Sequence, residues 1–356
     1  MGELALIEGI RSGWAAQARG VALGIGDDCA ILRPPRGHEI LVTTDFTLEG
    51  RHFRRDWHPA ESVGHRALAR GLSDLAAMGA RPLAAFLSLA LPAEQLATRS
   101  GRAWVERFFA GLRALAELHH VSLAGGDTAQ APGEQILADI VLVGTAPAGR
   151  ALRRSTAHAG DALYVTGQLG GAAAELAAMQ VRAEQARAAE SKSGASSLPR
   201  SLRKGWESSP ELLAAHPQMF PQPRLAVGQT LLRRRLASSA IDLSDGLSTD
   251  LAHLCQESGV GAEVNASALP IHPLAAQSSE EQALKRALNG GEDYELLFAA
   301  PSAVRVPRSI AGVRVTRIGT LLREKTILLV DSAGRRTPLK PGGWEHFAVK
   351  NSPRRS

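Results

Sequence analysis

The fold is decided by residues 58–92, which read HPAESVGHRALARGLSDLAAMGARPLAAFLSLALP. The first part predicts a helix over residues 58–80, because Pro59 suits a first helical turn and Gly79 suits a helix end. The second part is an apolar run bounded by Pro82 and Pro92, which predicts a buried strand. A long helix followed at once by such a strand is typical of an α/β protein.

The same alternation continues on both sides of this stretch, and 356 residues are more than one core usually serves. We therefore predict an α/β (α+β) protein with an N-terminal domain at 1–149 and a C-terminal α/β domain at 150–345. Residues 181–210 are polar and predict a flexible insertion, followed at the end of the chain by a basic tail at 346–356. Strands are predicted at 29–32, 39–45, 82–92, 121–124, 136–144, 162–167, 294–299, 313–320 and 326–331, and further helices at 101–119, from 172, and at about 223–236, 246–258 and 280–289.

The composition argues against several classes of protein. The formal net charge is +6, but the basic residues concentrate in a few short segments with little aromatic interleaving, which argues against nucleic-acid binding. No apolar run approaches the roughly 18 residues that span a bilayer, and the N-terminal sequence lacks a secretory signal pattern. Cys29 and Cys255 are the only cysteines, too few for a disulfide framework. We therefore expect a cytoplasmic protein without nucleic-acid or membrane partners.

One local pattern recurs along the chain: an aspartate at the edge of an element, beside Gly, Ser or Thr. A single aspartate of this kind is more often a turn or cap residue than a ligand. Asp127 fits a tight turn and Asp245 fits a helix N-cap, whereas Asp74 lies inside an apolar helical stretch, where an unpartnered carboxylate lowers stability. The pattern occurs in GIGDDCAIL (24–32), TTD (43–45), LSD (72–74), GGDT (125–128) and IDLSDG (241–246).

The usual nucleotide and zinc fingerprints are missing, so these aspartates need another explanation. No P-loop occurs, GIGDDC precedes a strand rather than a helix, and no H-E-x-x-H or paired-cysteine motif is present. Carboxylates gathered in one cleft must be neutralised by protonation or by cations, and no matching set of motif-bound Lys or Arg accompanies them. Hard oxygen ligands suit Mg²⁺, which bridges carboxylates to phosphates. The pattern therefore predicts that several Mg²⁺ ions join ATP to Asp28, Asp45, Asp74, Asp127, Asp242 and Asp245.

In their order and spacing, the motifs resemble those of the thiamine-monophosphate kinases over nearly the whole chain. These enzymes transfer the γ-phosphate of ATP to thiamine monophosphate, giving thiamine diphosphate. The resemblance implies two α/β domains related to aminoimidazole ribonucleotide synthetase, and a homodimer in which the N-terminal mixed sheets pair. The matching segments are GIGDDCAIL, TTDFTLEGRHF, LSDLAAMGARP, GGDT, YVTGQLGGAAAEL, AIDLSDGLSTDLAH, SGVGA, GGEDYELLF and GGWEHF.

The resemblance also implies roles for individual residues. It implies Mg²⁺ ligands at Asp28, Thr43, Thr44, Asp45, Asp74, Asp127, Asp242 and Asp245. It implies ATP contacts at Gly126, Arg150 and Ser244, and thiamine monophosphate contacts at His52, Glu292 and Trp344. The sequence departs from the family pattern at Arg51, at Ala129 and in the long basic segment 181–210. These departures concern loop structure and local substrate contacts rather than the reaction.

Thiamine monophosphate, the expected phosphate acceptor, does not require a catalytic base. A phosphate monoester has a second pKa of about 6, so its nucleophilic oxygen is already ionised at neutral pH. Repulsion between two unshielded charges about 4 Å apart costs about 4 kcal/mol at an effective dielectric constant of about 20. We therefore expect catalysis by alignment and by charge neutralisation through Mg²⁺, with no general base.

Residue patterns alone leave alternatives open. Trp344 fits a core residue under a glycine-rich turn, Glu292 the start of a strand, and His52 an exposed loop. At the level of function, one alternative is a related ATP-dependent synthetase of the same superfamily acting on another acceptor. Another is a non-catalytic regulator that binds Mg²⁺ or nucleotide.

Overall fold

The N-terminal half is built around a mixed four-stranded sheet with the strand order β3-β6-β4-β5. The computed structural model describes residues 3–14, 20–193 and 215–344. Strands β3, β6 and β4 are antiparallel neighbours, and β5 is parallel to β4. The elements of this half are α1 (Glu3–Gly13), β1 (Val21–Leu23), β2 (Ile31–Leu32), β3 (His38–Leu48), α2 (Ala60–Ala77), β4 (Arg81–Leu91), α3 (Ala93–Ala97), α4 (Arg99–Leu118), β5 (Ser122–Gln130) and β6 (Leu137–Pro147).

The C-terminal half is built around a larger sheet with the strand order β14-β13-β9-β12-β7-β10-β8, and β11 pairs with β12. Its neighbouring strands are antiparallel except for β9 and β13. The elements are β7 (Ala162–Thr166), α5 (Gly171–Ser193), α6 (Leu225–Arg233), β8 (Ser239–Asp242), α7 (Leu247–Ser258), β9 (Gly261–Asn265), α8 (Pro273–Ala276), α9 (Glu280–Asn289), β10 (Leu296–Ala300), β11 (Ser309–Ile310), β12 (Val313–Leu322), β13 (Ile327–Val330) and β14 (Arg336–Pro338).

Helix α2 packs against both halves of the chain. A Cβ atom at Gly64 would lie 1.9 Å from the carbonyl oxygen of Phe108, so only glycine allows α2 to approach α4 this closely. A Cβ atom at Gly228 of α6 would likewise lie 1.9 Å from the carbonyl oxygen of Ala76 in α2, so α6 also packs closely against α2. The hydrophobic core around α2 continues to Phe298 of β10. Side chains of α2 can therefore reach residues attached to either sheet.

The elements with strong periodicity form where the sequence predicts them, and the weaker patterns are less well predicted. Helices α2 and α4 and strand β4 agree within a few residues with the predicted bounds. Strand β2 covers only the last two residues of the predicted strand at 29–32, while β5 continues beyond 124 to Gln130. The short strands β8 and β9 are additional. The two sheets lie on either side of residue 150, but one hydrophobic core crosses that position.

The prediction of a flexible insertion at 181–210 is wrong in its first part. Helix α5 continues to Ser193, because the run of Ala, Glu, Gln and Arg after residue 181 favours helix despite its polarity. Residues 194–210 and the basic tail at 346–356 lie outside the described residues. Among the helices described, none combines the length and apolar character that a bilayer span requires.

Candidate active site

One face of α2 carries the polar side chains that organise the candidate site. Arg66, Ser73 and Asp74 lie four, three and four residues from Arg70, spacings that place them on one side of the helix. All four contact residues outside α2, on β3, on β8 or in the segment before β10. The i, i+4 spacing of Arg66, Arg70 and Asp74 is visible in the sequence, but the motifs do not show that Arg70 pairs with Asp45.

Two carboxyl groups meet beside α2. The hydroxyl of Thr43 donates a hydrogen bond to Asp74 Oδ2, and Ser73 Oγ donates to Asp242 Oδ2 at 2.8 Å. Burial raises the pKa of Asp74 to about 6; the hydrogen bond from Thr43 opposes this shift, and the charge of Asp45 adds to it. Burial also raises the pKa of Asp242 well above its ordinary value, and the charge of Asp74 contributes. The pair therefore carries negative charge that the surrounding protein does not fully compensate.

A further carboxyl group, Asp250, lies at the start of α7 and was not singled out in the sequence. Its Oδ2 accepts hydrogen bonds from the backbone N–H groups of Asp245 at 3.1 Å and Gly246 at 3.0 Å. Burial and the neighbouring charge of Asp245 raise the pKa of Asp250 to about 7. The N-cap of α7 is Gly246, and no side chain caps it. Asp245 is therefore not an N-cap residue, and that alternative is wrong.

The stability of an Asp250→Asn variant relative to the wild type is expected to depend on pH. The folded wild type keeps a proton on Asp250 up to about pH 7, whereas an unfolded aspartate loses it near pH 3.9. The stability from this proton is complete below about pH 4 and is lost as the pH rises through 7. Between pH 5.5 and 8, the variant should therefore gain about 2 kcal/mol of unfolding free energy relative to the wild type.

Urea titrations of both proteins in metal-free buffer measure this difference. The buried histidines His58 and His65, whose pKa values burial lowers to about 4, are present in both proteins and cancel in the comparison. A constant difference across the pH range would contradict the raised pKa of Asp250.

Glu292 lies at the centre of a buried network. Its Oε1 accepts hydrogen bonds from Arg66 Nη2 at 2.6 Å and from Arg70 Nη1 at 3.5 Å, and its Oε2 accepts from Gln218 Nε2 at 2.7 Å. Burial alone would raise the pKa of Glu292, but the charges of Arg66 and Arg70 outweigh it and lower the pKa. The backbone of Glu292 has a φ of +67°, and its N–H donates to the carbonyl of Ser244 at 2.8 Å. The protein thus holds both carboxylate oxygens in place, and Glu292 does more than begin a strand.

The two other residues expected to contact the acceptor lie on either side of this region. The carbonyl of His52 accepts from Arg66 Nη2 at 2.9 Å, and its Nδ1 accepts from the backbone N–H of Leu48 at 3.0 Å. The backbone N–H of Trp344 donates to the carbonyl of Asp245 at 3.0 Å. The side chain of Trp344 is 49% exposed, so its interpretation as a core residue is wrong.

Asp28 and Asp127 lie together, away from the carboxyl groups beside α2. They line a cavity of about 830 Å³ that is also bordered by Gly126 and by α1, and both are exposed. Asp127 belongs to β5, so it is not a turn residue. Among the described residues, no three His, Cys, Asp or Glu side chains stand close enough to hold a metal ion. The single cluster of six aspartates that the sequence predicted is therefore not formed.

The strand order explains this division. Asp127 pairs with Ser88, which pairs with Asp139, which pairs with Phe46. Paired residues point to the same side of a sheet and adjacent residues point to opposite sides, so Asp45 and Asp127 face opposite sides. Two strands also separate β3 from β5, a distance of about 14 Å at about 4.8 Å per strand.

The same alternation divides the Thr43-Thr44-Asp45 run. Thr43 contacts Asp74, and Asp45 accepts from Arg70 Nη2 at 3.0 Å, both on the side of α2. Thr44 points to the other side, where its hydroxyl donates to Asp139 Oδ1 at 2.8 Å. The motifs alone do not reveal the order of the strands in the sheet, nor the side of the sheet to which each of these residues points.

The residues expected to contact ATP lie on three separate segments. Gly126 has a φ of +149°, and a Cβ atom there would lie 1.9 Å from the carbonyl oxygen of Leu87, so this position requires glycine. Arg150 is exposed just after β6. Ser244 precedes α7 and accepts the backbone hydrogen bond from Glu292.

The arrangement of the two sheets and their helices defines the class of protein. The N-terminal domain of AIR synthase related proteins matches residues 26–146. The hydrogenase maturation protein HypE of Escherichia coli shares the fold at 18% identity, with a TM-score of 0.69 over 96% of this chain and 98% of that chain. The chain therefore has the fold of the AIR synthase related proteins.

More similar relatives narrow the class to one family. The thiamine-monophosphate kinase of Escherichia coli K12 is 40% identical over 334 residues, 92% of this chain and 93% of that protein. The crystal structure of thiamine-monophosphate kinase from Stenotrophomonas maltophilia K279a has a TM-score of 0.73 and 32% identity, covering 95% of this chain and 98% of that chain. A structure of AaThiL complexed with AMPPCP and TMP has a TM-score of 0.68 and 28% identity, covering 97% of each chain. The chain belongs to the thiamine-monophosphate kinase family.

Proposed function

We propose that this protein transfers the γ-phosphate of ATP directly to the phosphate of thiamine monophosphate, giving thiamine diphosphate. The observation that carries the proposal is the 40% identity to a thiamine-monophosphate kinase over 92% of the chain. The complex of AaThiL with an ATP analogue and TMP, at 28% identity over 97% of the chain, supports it. The polar face of α2 supports it independently, because it connects the expected metal ligands Asp45, Asp74 and Asp242 to Glu292.

We propose Mg²⁺ as the cation that the acidic groups bind. The donor set supports Mg²⁺, since Asp45, Asp74, Asp242 and Thr43 offer hard oxygen atoms of the kind it prefers. The raised pKa values of Asp74 and Asp242 support it too, because burial, with a smaller contribution from neighbouring carboxylates, disfavours their negative charge and a divalent cation would stabilise it. When bound, Mg²⁺ neutralises charge on the phosphates and on the transferring group. Since Thr44 and Asp127 face the opposite side of the sheet from Asp45, the proposed ligands would belong to more than one Mg²⁺ ion. They are Asp28, Thr43, Thr44, Asp45, Asp74, Asp127, Asp242 and Asp245.

Residues of the protein align the two substrates in this proposal. Arg150 would donate paired hydrogen bonds to phosphate oxygens, and Gly126 would let the nucleotide approach the backbone. The face of Trp344 would attract the thiazolium cation. Glu292 would not act as a base, since Arg66 and Gln218 occupy its oxygens. The ionised acceptor needs no proton removed.

Incubation of the purified protein with ATP, MgCl₂ and thiamine monophosphate tests the proposal. Chromatography of the thiamine phosphates should show thiamine diphosphate, formed in equal amount to ADP. Faster ADP formation with another acceptor would favour the superfamily synthetase, and ATP binding without turnover would favour a regulator. Either result would reject the kinase assignment.

Replacing Trp344 should affect one substrate more than the other. Trp344→Ala removes the half-exposed ring and should raise the KM for thiamine monophosphate about tenfold, as expected for loss of a cation–π contact. The KM for ATP should change less than twofold. Trp344→Phe keeps an aromatic face and should recover most of the loss. Equal changes in both KM values would contradict a substrate-binding role.

We also propose that a second copy of the chain covers the outer face of the N-terminal sheet. Ile40, Val42 and Phe46 alternate along the edge strand β3 and are 52%, 64% and 59% exposed, an apolar row typical of an interface. Phe46→Asp should convert a dimer into a monomer, as measured by light scattering after size-exclusion chromatography. The exposed Leu118→Asp on α4 serves as control and should leave the mass unchanged. A monomeric wild type would reject the dimer.

Two further proposals concern location and organisation. A cytoplasmic location is supported by the cysteines, since both Cys29 and Cys255 are free. The division into domains at 1–149 and 150–345 is supported by the positions of the two sheets.

A further inference from the structure

Arg70 connects the two ends of the candidate site. Its Nη2 donates to Asp45 Oδ1 at 3.0 Å, while its Nη1 donates to Tyr294 Oη at 3.1 Å and to Glu292 Oε1 at 3.5 Å. Asp45 is an expected metal ligand, and Glu292 is an expected acceptor contact. The side chain of Arg70 is only 14% exposed. One largely buried guanidinium therefore compensates two carboxylates of different expected function.

The two edges of the Arg70 guanidinium differ in how many of their N–H groups donate hydrogen bonds. The Nη1 group is held by Tyr294 and Glu292, which fixes the plane of the group. On the opposite edge, Nη2 makes the single contact with Asp45, and the buried Nε has no hydrogen-bond partner among the described residues. A buried N–H without an acceptor destabilises the folded protein. The Nε–Nη2 edge is thus a charged donor pair with only one of its two positions satisfied.

An arginine edge of this kind matches a phosphate group. The Nε–H and Nη2–H bonds of arginine point in parallel and form two hydrogen bonds to oxygens of one phosphate. Asp45 and Glu292 are 24% and 21% exposed, so the carboxylates on both sides of Arg70 reach solvent, although Nε itself is buried. A cation that binds Asp45 would weaken the contact of that carboxylate with Arg70 through repulsion between like charges. The arginine edge would then be available to an anion.

We propose that Arg70 binds the phosphate group of thiamine monophosphate. In the ligand-free protein, Arg70 neutralises Asp45 and Glu292. With a cation held by Asp45, Nη2 would be free to donate together with Nε to the acceptor phosphate. Tyr294 and Glu292 keep the guanidinium in place throughout. This inference rests on the proposed function and adds a phosphate-binding residue to it.

The proposal requires two effects of opposite sign in Arg70→Gln. Binding of Mg²⁺ alone should become about threefold tighter, because no cation competes for Asp45. The KM for thiamine monophosphate should rise at least about tenfold through loss of a charged hydrogen-bond pair, while the KM for ATP changes less than twofold. Tighter metal binding would show that Arg70 competes with the cation for Asp45, and the selective rise in the KM for thiamine monophosphate would show that Arg70 contacts the acceptor. Calorimetry with MgCl₂ and steady-state kinetics of the full chain measure the two effects.

Two further variants complete the experiment. Arg70→Lys keeps the charge but not the paired donors, so it should bind Mg²⁺ like the wild type and still show a KM for thiamine monophosphate raised severalfold. If Arg70→Gln does not fold, Arg70→Lys alone decides the question through this KM. Arg107→Gln is the matched control, since Arg107 forms an exposed pair with Glu61 at 2.7 Å at the other end of α2, and both measurements should match the wild type.

Unchanged or weaker Mg²⁺ binding in Arg70→Gln, or equal changes in both KM values, would overturn the role of Arg70. A normal KM for thiamine monophosphate in Arg70→Lys would do the same. A wild type that forms no thiamine diphosphate would instead reject the proposed function, so the two failures are distinguishable.

Discussion

Asp74→Asn is expected to lower the rate of thiamine diphosphate formation by about 10²–10³-fold, the loss typical of removing one electrostatic stabiliser from an active site. Asparagine keeps the shape of the side chain and can still accept the hydrogen bond from Thr43. It cannot supply negative charge to a cation that it would share with Asp45 and Asp242. Chromatographic measurement of the product under saturating ATP and thiamine monophosphate gives the rate.

The same variant should be more stable than the wild type when no metal is present. The raised pKa of Asp74, at about 6, means that the ionised carboxylate is less favourable in the folded protein than in the unfolded chain. At pH 7.5 its removal should add roughly 1–3 kcal/mol to the unfolding free energy in metal-free buffer. Lower activity with higher stability is the signature of a functional carboxylate.

Asp331→Asn provides the control for activity, because Asp331 pairs with Arg335 in the loop between β13 and β14. It should form product at the wild-type rate. Near-normal turnover in Asp74→Asn would remove Asp74 from the proposed ligand set. Loss of stability in that variant would show that Asp74 serves the fold instead.

Arg66→Met should lower the free energy of unfolding by about 3–5 kcal/mol, the cost of removing one partner from a buried ion pair. Arg66 is 1% exposed and donates to Glu292, to the carbonyl of His52 and to Gln218. Methionine fills part of the space but leaves these acceptors without their donor. Since proteins are stable by only about 5–15 kcal/mol, the loss is large. Urea denaturation followed by circular dichroism measures it.

Two comparisons make this prediction specific. Arg107→Met breaks an exposed pair with Glu61 and should cost less than about 1 kcal/mol. Combining Arg66→Met with Glu292→Gln removes both charges and should recover part of the loss, because no carboxylate remains with only the longer contact to Arg70 to compensate it. A loss below about 1 kcal/mol for Arg66→Met alone, or simple additivity in the double variant, would mean that the buried pair is not coupled.

The sequence predicts well those helices and strands whose own apolar residues recur at a regular spacing. Helices α2 and α4 and strand β4 bury long periodic faces, so their apolar residues recur at a fixed spacing. Strands β8 and β9 read SAID and GAEVN, and their polar residues interrupt the apolar run that makes the equally short β10 and β13 recognisable. The polar part of α5 was misjudged because its composition resembles a loop, although its residues favour helix.

Prediction of the candidate site from sequence is limited because the motifs identify residues but not their positions in the fold. The motifs identify the aspartates, because each lies beside residues that are unusual for a core. They do not reveal that two strands separate β5 from β3, which places Asp127 apart from Asp45. Arg66 and Arg70 were missed because arginine on a helix is ordinarily a surface residue. Only the packing of α2 between the two halves shows that these two are enclosed.

The alternation of Thr43, Thr44 and Asp45 along β3 constrains how this protein can evolve. Insertion or deletion of one residue within the strand would exchange its inward and outward side chains. Asp45 would then leave Arg70, and the apolar row of Ile40, Val42 and Phe46 would turn toward α2. Length variation among descendants of this chain should therefore concentrate in the loops on either side of β3, while the strand itself keeps its number of residues.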